Sequence, residues 1–256
     1  MHFYKYQGTG NDFIIFDNRN RSVKLDGEAI RFLCSRKYGI GADGLMLLQL
    51  KDGCDFEMKY FNCDGIEATM CGNGGRCIVS FASKLGIIDN SCIFLASDGK
   101  HHAEIKAGII RLGMQDVCKI DKYGNDYFLD TGNPKYVIFC ENIDLIDIIS
   151  ESRNIRYDSR FQPAGTNVNY AELKNNRLIV RTYEKGVENE TLSCGTGVIA
   201  SAIAASVRYN ISGEIFEVST KGGMLKVYFE KKGNTFRNIY LEGPALFVFE
   251  GDIILF

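Results

Sequence analysis

The chain has 256 residues, and its 30 Lys and Arg against 32 Asp and Glu leave a formal net charge of −2. That balance gives no electrostatic reason to expect nucleic acid or an anionic membrane as partner. An apolar share of 45% without any run near the ~18 residues of a membrane span fits a globular protein, long enough for one large domain or two of typical size.

The first residues, Met1-His2-Phe3-Tyr4-Lys5-Tyr6, have no long apolar run and do not read as a signal peptide. A strand-like start leads through Gly8-Thr9-Gly10-Asn11 into a second strand, Phe13–Phe16. Such a turn either closes a plain hairpin or carries its polar tip to a ligand. Asp26 to Tyr38 reads as an amphipathic helix with Ile30, Leu33, Cys34 and Tyr38 on one face, ended by Gly39. Gly39-Ile40-Gly41-Ala42-Asp43-Gly44 then enters the strand Leu45–Leu48. Its order is helix, loop, strand, so it is no dinucleotide fingerprint, which needs strand, loop, helix.

Phe56–Phe61 reads as a strand, and after it Met70-Cys71-Gly72-Asn73-Gly74-Gly75-Arg76-Cys77 carries a cysteine into the start of a helix. Ile78, Val79, Phe81, Ala82 and Leu85 continue at helical spacing up to Gly86. Short strands follow around 92–96, 102–107 and 109–112, with His101 and His102 expected as a solvent-exposed pair in a turn. The pattern weakens between Met114 and Tyr127, the best candidate for a domain junction. Thr131-Gly132-Asn133-Pro134-Lys135 is a compact turn, in which the proline restricts Asn133. Ile143–Ser152 reads as a helix with Leu145, Ile146, Ile148 and Ile149 for core. Gly165-Thr166-Asn167 echoes the first Gly-Thr-Gly-Asn turn, and from Glu214 onward short strands alternate with turns, ending in Leu246–Phe256.

Ser193-Cys194-Gly195-Thr196-Gly197 repeats the cysteine device: strand 178–183 before it, a small-residue helix after it, and an acidic residue four before each cysteine. That is an internal repeat on the scale of a duplicated domain. Of the nine cysteines, only Cys71 and Cys194 have a local context beyond that of small apolar residues. The odd number and the lack of any Cys-x-x-Cys pair argue for a reducing cytoplasm and against a zinc site. A sulfur at a helix N-terminus feels the positive end of the dipole, which favours the thiolate, and the first N–H groups of the helix point at any anion bound there. Two such starts can hold one carboxylate, so that one thiolate removes an α-proton and the opposite thiol delivers another, inverting the centre. The backbone N–H groups stabilise the carbanion as charge moves onto the carboxylate, without pyridoxal.

Together with Phe61-Asn62-Cys63-Asp64-Gly65, Gly132-Asn133-Pro134 and Tyr183-Glu184, these motifs resemble the diaminopimelate epimerase family over essentially the whole chain. Proline racemases are similar, but usually carry Gly-His-Gly after the first cysteine where this chain has Asn73. The resemblance implies an α+β fold of two similar domains, each a barrel-like sheet around a central helix, with the active site in the cleft between them. It implies halves at 1–115 and 116–245, with the final strand, 246–256, packed back on the first. Cys71 and Cys194 would be the catalytic pair, and Gly72, Asn73, Gly195 and Thr196 the carboxylate site. Asn11, Asn62, Asn133 and Asn167 match substrate-contacting asparagines, and Glu184 an acidic residue near the amino groups. No metal and no cofactor are implied; the partners are a small amino acid substrate and a second copy of the chain. Two positions depart from the family: Lys135 stands where it has histidine, and Lys185 where it has the arginine that clamps the far carboxylate. Lys185 keeps that charge but loses the planar fork. Lys135 is either a cation beside the thiols or an exposed lysine on a turn. The alternatives are a racemase of the same fold for another amino acid, such as histidine, and a thiol-regulated binding protein without catalysis.

Overall fold

Residues 1–211 and 215–254 are described in the computed structural model, and their contacts divide the chain into two units, Met1–Leu112 with Gly243–Phe256, and Gly113–Glu242. Glu214 and the last two residues of the expected final strand lie outside the described residues.

In the first unit β1 (His2–Gly8) and β2 (Asn11–Asp17) form an antiparallel hairpin with Gly8 opposite Asn11. Thr9 and Gly10 both have positive φ, as the tight hairpin turn requires. Then come α1 (Gly27–Cys34), β3 (Gly44–Gln49), β4 (Phe56–Asn62), α2 (Gly72–Lys84), β5 (Ser91–Ala96), β6 (Gly99–Lys106) and β7 (Ile109–Gly113). The β2–β3 and β4–β5 pairs are parallel, the others antiparallel. Phe13, Ile14, Ile15 and Phe16 are all buried because β2 is covered on both faces. Phe13 packs toward Gly74 of α2, whereas Ile14 and Phe16 pack with Ile30 and Leu33 of α1.

The second unit repeats this order. After β8 (Ile120–Tyr123), strands β9 (Asp126–Asp130) and β10 (Pro134–Phe139) are antiparallel, and α3 (Ile148–Arg156) leads to β11 (Asn167–Lys174), parallel to β10. Next come β12 (Arg177–Glu184), the short β13 (Asn189–Thr191), α4 (Gly195–Arg208), β14 (Ile215–Thr220), β15 (Gly223–Lys232) and β16 (Thr235–Pro244). The β12–β14 pair is parallel, like its counterpart β4–β5. β17 (Leu246–Asp252) returns to the first unit and pairs antiparallel with β1, as β8 does with β9. All residues of α4 from Gly195 to Ser206 are buried, and β9, β10, β11, β12, β14 and β15 pack around it. A helix apolar on every side needs such a wrapping, and its alanines let the strands approach closely.

Three local expectations differ from the structure. α1 stops at Cys34, because Ser35 is extended and the Phe32, Leu33 and Cys34 carbonyls accept from Ser35, Ile40, Gly41 and Ala42. Gly39 lies so close on that helix end that a Cβ would meet the Phe32 oxygen at 2.0 Å, and Tyr38 is left 80% exposed. The expected helix from Ile143 is broken: a single 3₁₀ turn, Ile143–Leu145, precedes α3, whose start is capped by Asp147 accepting from Ser150 N–H. Ile143 and Ile148 are buried, whereas Leu145 and Ile149 are exposed. His101 is no turn residue; it is buried on β6, stacked on Phe94 and bonded to Asp98 at 3.0 Å. The stretch of weak pattern after Met114 contains the β8–β9 hairpin.

Candidate active site

Each unit buries one long helix, and each of these helices has a cysteine as its N-cap residue, Cys71 for α2 and Cys194 for α4. The short helices α1 and α3 are closed by Asp26 and Asp147, whose carboxylates accept from the first turn. Such a cap is worth about 0.5–2 kcal/mol, and neither cysteine closes one. The helical ladder starts with Gly75 N–H to Cys71 O and Val198 N–H to Cys194 O. The ladder therefore does not use the N–H groups of Gly72, Asn73 and Gly74, or of Gly195, Thr196 and Gly197. Helix starts of this kind suit an anion, and each has a sulfur at its edge.

In the first unit the hairpin turn lies on the first turn of α2. A Cβ on Gly8 would meet Asn73 O at 3.2 Å and Arg76 Nη2 at 3.3 Å, so glycine permits the approach. The turn brings Asn11 to the cysteine: Asn11 Oδ1 lies 3.6 Å from Cys71 Sγ and accepts from Asn73 Nδ2 at 3.3 Å. Asn11 Nδ2 donates to Asp43 Oδ2 at 2.7 Å. Arg36 donates to Asp12 and Asp43, and Lys5 pairs with Asp12 at 2.7 Å and donates to Gly41 O. Burial works against the Asp12 charge, but the Arg36 and Lys5 hydrogen bonds outweigh it and hold the carboxyl well below the usual range. Arg76 is fully buried and bonds Asn73 Oδ1, Thr9 Oγ1 and the carbonyls of Gly72 and Pro244; burial pulls it down to about 10. Asn62 is exposed and accepts from Tyr60 Oη at 2.8 Å, apart from the Cys71 contacts just described.

In the second unit Cys194 Sγ is buried, 3.7 Å from Asn167 Nδ2 and 3.5 Å from Thr196 Oγ1. Asn167 Oδ1 accepts from the Lys185 N–H at 3.1 Å, while Lys185 Nζ donates to Ala164 O at 2.8 Å. Thr131 Oγ1 donates to Thr196 O and ties the Thr131–Lys135 turn to the start of α4. Lys135 is paired in register with Asn167 and fully buried, so it is not the exposed turn lysine that was one of its two expected readings. Its Nζ has no hydrogen-bond partner among the described residues, and neither has Asn133 Oδ1. Burial pulls the Lys135 ammonium down, while Cys194 and Glu184 pull it up. Burial and the Glu184 charge push the Cys194 thiol up, against Lys135, the Thr196 hydroxyl and the Gly197 N–H. Cys34, Cys77 and Cys92 are pushed by burial up to about 12.

Arg76, Asp43, Thr131 and Asn169 escaped the sequence reading. Asn169 lies against Gly197, where a Cβ would meet its Oδ1 at 2.2 Å. Arg76 and Asp43 stood inside quoted motifs, and an arginine directly before the apolar run Cys77–Val79 was the available signal.

This fold of a duplicated sheet wrapped on a helix is shared by solved structures that include racemases, epimerases and PhzF-family proteins. A hydroxyproline epimerase from Agrobacterium vitis matches over 98% of this chain and 91% of its own, with TM-score 0.71 and 12% identity. A phenazine biosynthesis protein of the PhzF family from Bacillus anthracis matches over 100% and 99%, with TM-score 0.77 and 14% identity. At such identities the likeness is one of fold. The sequence is more specific: the diaminopimelate epimerase family profile matches residues 3–116 and 127–248. The diaminopimelate epimerase of Flavobacterium psychrophilum is 47% identical, covering 99% of this chain and 100% of that protein. That of Chlorobaculum tepidum is 40% identical over 97% and 99%. The chain belongs to the diaminopimelate epimerase family. It is an isomerase with an α+β fold, as its sequence led one to expect.

Proposed function

We propose that this chain interconverts LL- and meso-diaminopimelate by moving protons at one α-carbon, with Cys71 and Cys194 as the two acid–base groups. The observation that carries the reading is the pair of uncapped helix starts, one in each repeat, each with a cysteine in the capping place and an asparagine on its sulfur. One sulfur, as thiolate, takes the α-proton; the other, as thiol, gives a proton to the opposite face. The negative charge left behind moves onto the α-carboxylate, where N–H groups of Gly72, Asn73, Gly195 and Thr196 support it. An unperturbed thiol near pKa 8.5 can serve in either state around neutrality. Asn11, Asn62, Asn133, Asn167 and Glu184 would hold the substrate, with Lys185 at its far end. Lys185 offers a single charged head there and not a planar fork, which favours a looser grip on a carboxylate.

The reaction as proposed needs neither metal nor pyridoxal, belongs to lysine and peptidoglycan precursor synthesis, and takes place in the cytoplasm in a homodimer. Incubation with diaminopimelate in D₂O should exchange the α-proton and invert the centre, and activity should survive chelator and removal of pyridoxal phosphate. Exchange only with another amino acid, such as histidine, would replace the substrate; no exchange with any would refute catalysis.

A further inference from the structure

Arg76 and Asp43 have no part in the reaction as proposed, yet they end one chain of hydrogen bonds that passes through Asn73 and Asn11. A guanidinium only donates. The Asn73 atom 3.0 Å from Arg76 Nη2 is therefore its oxygen, and the Asn73 nitrogen faces Asn11, 3.3 Å away. At the other end Asp43, ion-paired with Arg36 at 2.7 Å, only accepts, so the Asn11 atom 2.7 Å from it is the nitrogen. With both ends fixed, Asn11 has one sense left, its carbonyl oxygen 3.6 Å from Cys71 Sγ. A carbonyl oxygen accepts from S–H and repels a thiolate.

We propose that Arg76 and Asp43 are positioning residues that lock the amides of Asn73 and Asn11 in one sense, so that Asn11 offers Cys71 a carbonyl and holds it as the proton-bearing thiol. The inference rests on the reading of Cys71 as an acid–base group. The charged and titratable groups near it include Arg76 and Cys77 on α2, Asp12 on β2 with its partners Lys5 and Arg36, Tyr6 beside Cys77, and Asp43 before β3. Glu250 on β17 is paired with Lys84 at the far end of α2. By charge alone Arg76 favours a thiolate, so charge and hydrogen-bond polarity act on Cys71 in opposite senses.

The test is iodoacetamide labelling of the substrate-free protein at pH 7, followed on the Cys71 peptide by mass spectrometry. The Asp43 side chain is 45% exposed, so Asp43→Asn leaves the core untouched. An amide at 43 can donate to Asn11, and turning the Asn11 nitrogen toward the sulfur then costs only the longer of its two bonds, that from Asn73 at 3.3 Å. Labelling, which follows the thiolate fraction, should then run roughly tenfold faster. In an Asn11→Ala background the same substitution should change the rate less than about twofold, because the relay is already cut. Equal acceleration in both backgrounds would mean only the loss of a nearby negative charge. No acceleration in the native background would mean that Asn11 does not turn. Either result overturns the proposal, and neither depends on substrate, so its failure is read separately from a failure of the epimerase reading, which proton exchange in D₂O tests.

Discussion

Cys71 is part-exposed and faces the carbonyl oxygen of Asn11, while Cys194 is buried and faces the amide nitrogen of Asn167. The positive charge near the first comes from the helix, as Arg76, and near the second from the sheet, as Lys135. The backbone is repeated apart from the short β13, but the side chains around the sulfurs are not. Two sulfurs in matched surroundings would titrate together, whereas inversion as proposed needs one thiolate and one thiol at the same moment. Unequal surroundings are how a pair of like groups is divided into acid and base.

The largest expected effect tests whether both halves act. Cys71→Ala and Cys194→Ala should each lower inversion of diaminopimelate by about 10⁴-fold or more, since no other group replaces the lost one on its face. Full inversion by either variant would end the two-base reading. Serine at one position should still permit elimination from a halogenated analogue, which needs a single base, and the more active serine variant marks the half that acts as base there.

A second, smaller effect separates the packing of the two helix starts. Gly197→Ala puts a methyl 2.2 Å from Asn169 Oδ1, a buried amide held by Thr182 and by Tyr136 O. Gly74→Ala meets only side-chain atoms, Met46 Sδ at 3.3 Å and Met58 Cε and Phe13 Cε1 at 3.5 Å. The first should cost about 1–3 kcal/mol in urea unfolding. The second should stay within about 1 kcal/mol, since Ala also favours the helix. Similar costs at both positions would mean that the second site is as pliable as the first.

The duplication could be read from the sequence because a Cys-Gly-x-Gly helix start after a strand is a local signal, and it occurs twice. Asn11 and Asn167 stood out as the ends of Gly-Thr-Gly-Asn and Gly-Thr-Asn turns, but their expected contact with substrate, like that of Asn62 and Asn133, came from the family resemblance. Arg76 and Asp43 were not, because their roles exist only when α2 lies against the β1–β2 turn, a contact between segments some sixty residues apart (Asn73 to Asn11). The helix errors have the same origin. The apolar spacing continues past Cys34 and starts before Ile148, but Gly39 folds back onto one helix end and Asp147 caps the other. Periodicity registers neither event. His101 read as exposed because a polar pair suggests a turn; its stacking on Phe94 depends on the β5–β6 register.

The last prediction concerns Lys135 and sharpens the contrast at the second sulfur. Its ammonium is buried with no hydrogen-bond partner among the described residues, and burial pulls it below its ordinary 10.5. In the unfolded chain the lysine keeps that ordinary value. At pH 7 the folded protein thus carries a cost for this lysine, either as a buried cation or as a proton given up, which Glu184 only partly offsets. As pH rises toward 10.5 the folded protein gives up the proton before the unfolded chain does. The unfolded state then binds more protons, so this group's contribution to stability rises with pH. Lys135→Met removes both the cost and the rise. It should be at least as stable as the parent at pH 7, with the difference shrinking in urea titrations between pH 8 and about 10. In the same variant the Cys194 peptide should alkylate more slowly at fixed pH, because the cation that pulls this thiol down is gone while Glu184 still pushes it up. A stability difference that stays constant with pH would mean that Lys135 binds its proton equally in the folded and unfolded chain, and unchanged Cys194 labelling that it does not set the state of the second sulfur.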